Sequence, residues 1–167
     1  MATAKTITAK NTRAKKVIEG MAHWGAFYRA NIDQFAVEYL GFSFLKTFQL
    51  ISLVMMDASR NYVWIASRGL GKSFLIAVFA VCRCILYPTT KVVIASGSRG
   101  QSINVLEKIR VELIPKSNAL KNEIDFRQTK FAGQDACIFF KNGSTIKVVT
   151  AGDSARGNRA NILIVDE

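Results

Sequence analysis

Residues 62 to 73, Tyr62-Val63-Trp64-Ile65-Ala66-Ser67-Arg68-Gly69-Leu70-Gly71-Lys72-Ser73, constrain this chain more than any other stretch. An apolar, β-prone run stops at a short loop with two glycines, and Lys72-Ser73 then opens a strongly apolar stretch from Phe74 to Tyr87. The order reads as strand, loop, helix. Small residues in such a loop let several backbone N–H groups converge on one anion, and the helix that follows presents the positive end of its dipole. A triphosphate fits that arrangement, with Lys72 reaching the β- and γ-phosphates and the Ser73 hydroxyl suited to Mg²⁺. The general pattern, G-x-x-x-x-G-K-[ST], has a glycine where this chain has Ala66, so a chance Gly-Lys-Ser after a strand is the competing reading.

The far end of the chain weighs against chance. Asn161-Ile162-Leu163-Ile164-Val165-Asp166-Glu167 is a continuously apolar run ending in two acids, the pattern of a buried parallel strand with carboxylates at its tip. In doubly wound α/β sheets that tip is where ligands sit. Asp166 is then placed to hold Mg²⁺ with Ser73, and Glu167 to polarise an attacking water.

A chain of 167 residues fits one domain with a real core, and half of its residues are hydrophobic. Lys and Arg number 23 against 12 acids, a formal charge of +11, which favours polyanionic partners such as nucleic acid or nucleotide. Part of the excess is local: Lys5, Lys10, Arg13, Lys15 and Lys16 all precede the first acid, Glu19. Residues 1–19 therefore read as a basic flexible tail and residues 20–167 as the folded domain. Cys82, Cys84 and Cys137 make no metal-ligand pattern with the lone His23, and read as reduced, packed thiols. The apolar stretch from Phe74 to Tyr87 is interrupted by Arg83 and is too short to span a bilayer.

Aromatic and aliphatic residues from Met21 to Leu40 suggest a helix whose Trp24, Phe27, Tyr28, Phe35 and Tyr39 are suited to packing. A second helix is expected from about Lys46 to Ala58. Within it, Gln49 has an amide able both to donate to and to accept from an adenine edge, though an exposed helical glutamine is the simpler account. After Pro88, Lys91 to Ser96 reads as a buried strand. A helix follows, with a Ser98/Gln101 capping box and Ile103, Leu106, Ile109 and Leu113 on one stripe. This βαβα succession predicts a mostly parallel sheet with right-handed crossovers. Residues Cys137 to Phe140 and Thr145 to Val149 flank Asn142-Gly143, a tight-turn signal, so a hairpin is expected before the last strand. The loop Gly152 to Arg159 carries Arg156 and Arg159, either of which could stabilise charge on a γ-phosphate or contact DNA.

Together these residues resemble the ATPase domain of a phage large terminase subunit, the motor that packages DNA. The resemblance covers about residues 25 to 167. It rests on Phe48-Gln49 in the adenine-motif position, on Ser67-Arg68-Gly69-Leu70-Gly71-Lys72-Ser73, on Ser154-Ala155-Arg156-Gly157, and on Ile162 to Glu167. The phosphate loop without a glycine at position 66 is similar to the deviant Walker A of that family.

What the resemblance implies is specific. The fold would be an α/β P-loop NTPase of the ASCE type, with helices flanking the sheet and a β-hairpin inserted. ATP and Mg²⁺ would be bound by Ser67, Arg68, Gly69, Leu70, Gly71, Lys72 and Ser73, with Gln49 on adenine and Asp166 as the Walker B acid. Glu167 would be the catalytic carboxylate, Arg68 a sensor of the γ-phosphate, and Arg156 a residue acting on a neighbouring subunit's ATP. Implied partners are double-stranded DNA, further copies in a ring, a portal protein and a small terminase subunit, all in the host cytoplasm. The resemblance also implies more chain after Glu167, namely a coupling strand, a lid and a nuclease domain. The sequence therefore reads as an N-terminal fragment, truncated product or split subunit with one sheet edge open. Two other readings compete: a superfamily 2 helicase-like ATPase, and a nucleotide- or DNA-binding module without turnover.

Overall fold

Two compact units make up the chain, residues 1–31 and residues 32–167. The computed structural model describes residues 2–67, 69–133, 135–150, 157 and 159–166. The first unit is one helix, α1 (Ala2–Ala30), which runs from the Ala/Thr/Lys-rich start into the aromatic stretch without a break. Its alanines and lysines are strong helix formers. The helix expected from Met21 to Leu40 is divided at Asn31, whose Nδ2 donates to the Phe27 carbonyl at 2.8 Å and so takes an acceptor from the last turn. Trp24 and Phe27 pack edge-on to Tyr28 at 5.0 and 5.1 Å but remain 41% and 49% exposed, so these rings are not core.

The second unit begins with α2 (Ile32–Gln34) and a π-helical turn, Phe35–Tyr39. Phe35 is fully buried and stacks on Tyr39 at 5.1 Å. The Tyr39 hydroxyl donates to Glu123 Oε1 at 2.9 Å; burial, reinforced by that carboxylate, pushes the phenol up to about 12. Helix α3 (Thr47–Ala58) matches the expected second helix. Helix α4 (Lys72–Leu86) is the centre of the unit, buried on nearly every side from Leu75 to Cys82, as a helix that is apolar all round must be.

A four-stranded mixed sheet lies beside these helices, in the order β2 (Cys137–Phe139), β3 (Thr145–Thr150), β1 (Lys91–Ser96), β4 (Ile162–Asp166). Both neighbours of β1 are parallel to it, and β2 runs antiparallel to β3 as the expected hairpin. Parallel register sets Ser96 beside Asp166, so both residues stand at the C-terminal tips of their strands. Helix α5 (Arg99–Lys108) starts just past Ser96, capped by the anticipated Ser98/Gln101 box. It continues as a π-helical turn (Ile109–Leu113) and a 3-10 turn (Ile114–Lys116) before α6 (Asn118–Glu123). Among the described residues no helix is long and apolar enough to cross a membrane.

Two expectations fail at the sheet's edge. Among the described residues the strand expected at residues 62–66 has no ladder partner, and Val63 and Ile65 are 84% and 93% exposed. The run ending at Asp166 does form β4, but as an edge strand, with Leu163 and Val165 63% and 72% exposed. Continuous apolarity marks burial only where a neighbour covers each edge and face, and β4 is paired with β1 alone among the described residues. Between the 59–64 segment and β4 lies a cavity of about 510 Å³ floored by Ile76, Phe79 and Arg83 of α4.

The Asn142-Gly143 turn does more than join two strands. Asn142 Nδ2 donates to the carbonyls of Cys84 and Ile85 at 2.7 and 3.2 Å, satisfying the last turn of α4, while its Oδ1 accepts from the Ser144 N–H at 3.0 Å. Asn142→Ala should therefore cost about 1–3 kcal/mol through carbonyls left without a donor, against less than about 0.5 kcal/mol for exposed Lys141→Ala. Urea unfolding of the two variants measures the difference.

All three cysteines are buried free thiols. Burial raises each thiol; Cys137 is pushed up to about 11, with Lys147 pulling weakly the other way, and Cys82 and Cys84 go higher still. A raised value leaves less thiolate, the reactive form, at neutral pH. At pH 8 the native chain should react with an aromatic disulfide reagent only slowly, and the unfolded chain at all three positions at once. Rapid labelling of the native chain would show that the packing around α4 opens readily.

Candidate phosphate-binding site

The loop before α4 takes its shape from two glycines. Gly69 and Gly71 have φ of +85° and +80°, in the left-handed region that side chains avoid. At Gly71 a Cβ would also come within 3.3 Å of Gln49 Nε2, so a side chain there would strain the backbone and push on the glutamine amide. Gly71 is the N-cap of α4, and among the described residues no side chain caps that end. The first-turn N–H groups of any helix have no partner within the helix itself and point out of its N-terminal end. Lys72 and Ser73, both half-buried, open the helix.

Across the cavity stands the tip of β4. Ser73 Oγ donates to Asp166 Oδ2 at 3.2 Å, joining residues 93 positions apart. A hydroxyl and a carboxylate oxygen thus sit side by side at a helix N-terminus, with Lys72 next in the chain. Ser67, Gly69, Gly71, Lys72, Ser73 and Asp166 share the lining of a cavity of about 460 Å³, closed on another side by Gln101, Asn104 and Lys108 of α5.

A second cavity, of about 300 Å³, adjoins it through Gly69, Gly71 and Phe74. Phe44, Phe48, Gln49 and Leu70 line it, with Lys46, Glu112 and Lys116 at its polar margin. Gln49 is only 9% exposed, and its Oε1 accepts the Lys46 N–H at 3.0 Å, so it is not the exposed helical glutamine of the simpler account. Phe44 lies 6.0 Å from Phe74 and under the Lys116 ammonium, whose nitrogen is 4.3 Å from the ring centroid. Flat aromatic walls beside an amide of two-way hydrogen-bonding capacity suit a planar heterocycle.

Of the residues anticipated from sequence, the structure brings Gln49, Ser67, Gly69, Leu70, Gly71, Lys72, Ser73 and Asp166 around these two adjoining cavities. Arg68, Arg156 and Glu167 lie outside the described residues. Sequence reading missed Phe44, Phe74 and Lys116, and also the polar face of α5. That face had a signal: Gln101, Asn104 and Lys108 recur at helical spacing opposite the apolar stripe.

Comparison with known protein families finds one that covers the glycine loop and the strand tip. The family of the terminase large subunit, T4likevirus-type, N-terminal, matches residues 63–167. No curated protein matches the chain. The matched span runs from Val63, ahead of the glycine loop, through α4 and the sheet to Asp166 and Glu167, and takes in most of the chain. This protein therefore belongs to the T4likevirus-type large terminase subunits, in their N-terminal part.

Proposed function

We propose that the chain is a P-loop ATPase unit that serves phage DNA packaging, hydrolysing ATP to drive movement of double-stranded DNA. The observation that carries the reading is the Ser73 to Asp166 hydrogen bond at the N-terminus of α4. It gathers a glycine loop, a lysine, a hydroxyl and a strand-tip carboxylate in the arrangement that phosphoryl chemistry uses. Membership of a terminase family supplies the biological setting.

On this reading the backbone of residues 67–71 and the N–H groups of α4 hold the phosphates, and Lys72 neutralises their charge. The base enters the 300 Å³ cavity against Phe44 and Phe74, with Gln49 on its edge. Ser73 Oγ and Asp166 Oδ2 are hard oxygen donors 3.2 Å apart, a pair that fits Mg²⁺. When bound there, the ion offsets phosphate charge. Glu167 accepts a proton from the attacking water as its oxygen bonds to the γ-phosphorus. The bond from that phosphorus to the bridging oxygen breaks, and ADP leaves with that oxygen. Arg68 and Arg156 are proposed to contact the γ-phosphate, Arg156 from a neighbouring copy in a ring. The +11 charge suits a partner gripped by its phosphates, so binding to DNA should weaken steeply with salt. A portal protein and a small terminase subunit are the further partners of this proposal.

Phosphate release from the purified chain with Mg²⁺-ATP, with and without double-stranded DNA, tests the proposal. Release that rises with DNA and disappears in Glu167→Gln supports it. ATP binding that survives loss of Lys72 would sink the site.

A further inference from the structure

We propose that α5 forms the second wall of the phosphate site, and that Lys108 is a phosphate-binding residue which Glu112 holds in position until a ligand arrives. The inference rests on the nucleotide reading above and extends it to an element outside the glycine loop and the strand tip.

Gln101, Asn104 and Lys108 line the same cavity of about 460 Å³ as Lys72, Ser73 and Asp166. Their spacing of three and four places them on one helical face. The opposite face is fixed in the core by Ser102, Val105, Leu106 and Ile109, all fully buried, and Ser102 Oγ bonds Ser96 Oγ at 2.7 Å beside the strand tips. The polar face is therefore held rigidly against the cavity. None of its three residues is acidic, and a wall of two amides and an ammonium is a donor surface suited to anionic oxygens.

Lys108 Nζ is paired with Glu112 Oε1 at 3.3 Å, and both side chains are about a third or more exposed. Glu112 itself lines the neighbouring 300 Å³ cavity, so the pair sits where the two cavities meet. The i,i+4 spacing that makes helical side chains neighbours keeps Glu112 beside Lys108 as the helix passes into the π turn Ile109–Leu113. An exposed ion pair of this kind is weak, whereas a lysine bonded to a phosphate oxygen gains a charge-assisted bond in a half-enclosed site. Exchange of Glu112 for phosphate is downhill. A polyphosphate would then lie between two ammonium groups, Lys72 on the loop side and Lys108 on the α5 side.

Titration calorimetry of the whole chain with Mg²⁺-ATP tests this, using Lys108→Ala, Lys108→Gln, Lys108→Arg, Glu112→Gln and, as reference, Lys72→Ala. Circular dichroism confirms that each variant is folded. Lys108→Ala and Lys108→Gln should weaken binding by about tenfold, the worth of one hydrogen bond to a charged group. Lys108→Arg, which keeps the charge, should recover most of that loss. Glu112→Gln should tighten binding by roughly twofold, because the competing partner is gone. Affinity unchanged in both neutral Lys108 variants, with Lys72→Ala still defective, overturns the role of α5 and leaves the nucleotide site standing. Absence of ATP binding by the unmodified chain overturns both.

Discussion

Lys72→Ala should lower the affinity of the chain for Mg²⁺-ATP by about a hundredfold or more, since a lysine bonded to two phosphates contributes about 3 kcal/mol through charge-assisted hydrogen bonds. The fold should barely respond. Lys72 occupies the first position of α4, where an ammonium opposes the helix dipole, and losses from a partly exposed contact are of similar size. Stability is thus expected to move by no more than about 1 kcal/mol in either direction. This pairing of a large binding defect with a small stability change is the signature of a lysine placed for a ligand. Equilibrium dialysis and urea unfolding on the same preparation measure the two quantities. A variant that binds ATP as the parent does would remove the phosphate site; one that unfolds would mean that Lys72 serves packing instead.

How much of this was legible in the sequence depends on whether a residue's role is local. The glycine loop was readable because positive φ demands glycine at 69 and 71, and Lys72-Ser73 follows at fixed offset. The Ser98/Gln101 box and the Asn142-Gly143 turn were readable for the same reason. The position of Asp166 at a strand tip was readable because parallel strands deliver their C-terminal tips to one side of a sheet. Failures came where a residue's state depends on distant neighbours. Val63 and Ile65 are as β-prone as Val92 and Ile94, yet only the latter pair has strands on both sides. Trp24 and Phe27 look like core residues, and whether a ring is covered is not written in its own segment. The base-side wall escaped notice because Phe44, Phe74 and Lys116 come from three separate stretches and meet only in the fold.

That same wall yields the second large effect. Phe42 is fully buried, directly after Gly41, whose φ of +76° turns the chain, and its N–H donates to the Ala36 carbonyl at 2.9 Å. Its ring lies 5.6 Å from Phe44, which in turn lies 6.0 Å from Phe74. Phe42→Ala should cost about 3–5 kcal/mol from lost transfer energy and the cavity left behind, a large part of the 5–15 kcal/mol typical of a domain. Urea unfolding should show the midpoint falling with an unchanged slope, the mark of lost stability without a change in exposed surface. Val63→Ala, at an 84% exposed position, should stay within about 0.5 kcal/mol of the parent. Under conditions where Phe42→Ala remains folded, a binding effect should follow. Phe44 loses its backing, so affinity for ATP should fall while affinity for inorganic triphosphate, which has no base, should hold. Equal losses for both ligands would mean that the aromatic chain supports the glycine loop instead of the base. A stability loss under about 1 kcal/mol would mean that the site around Phe42 collapses to refill the space.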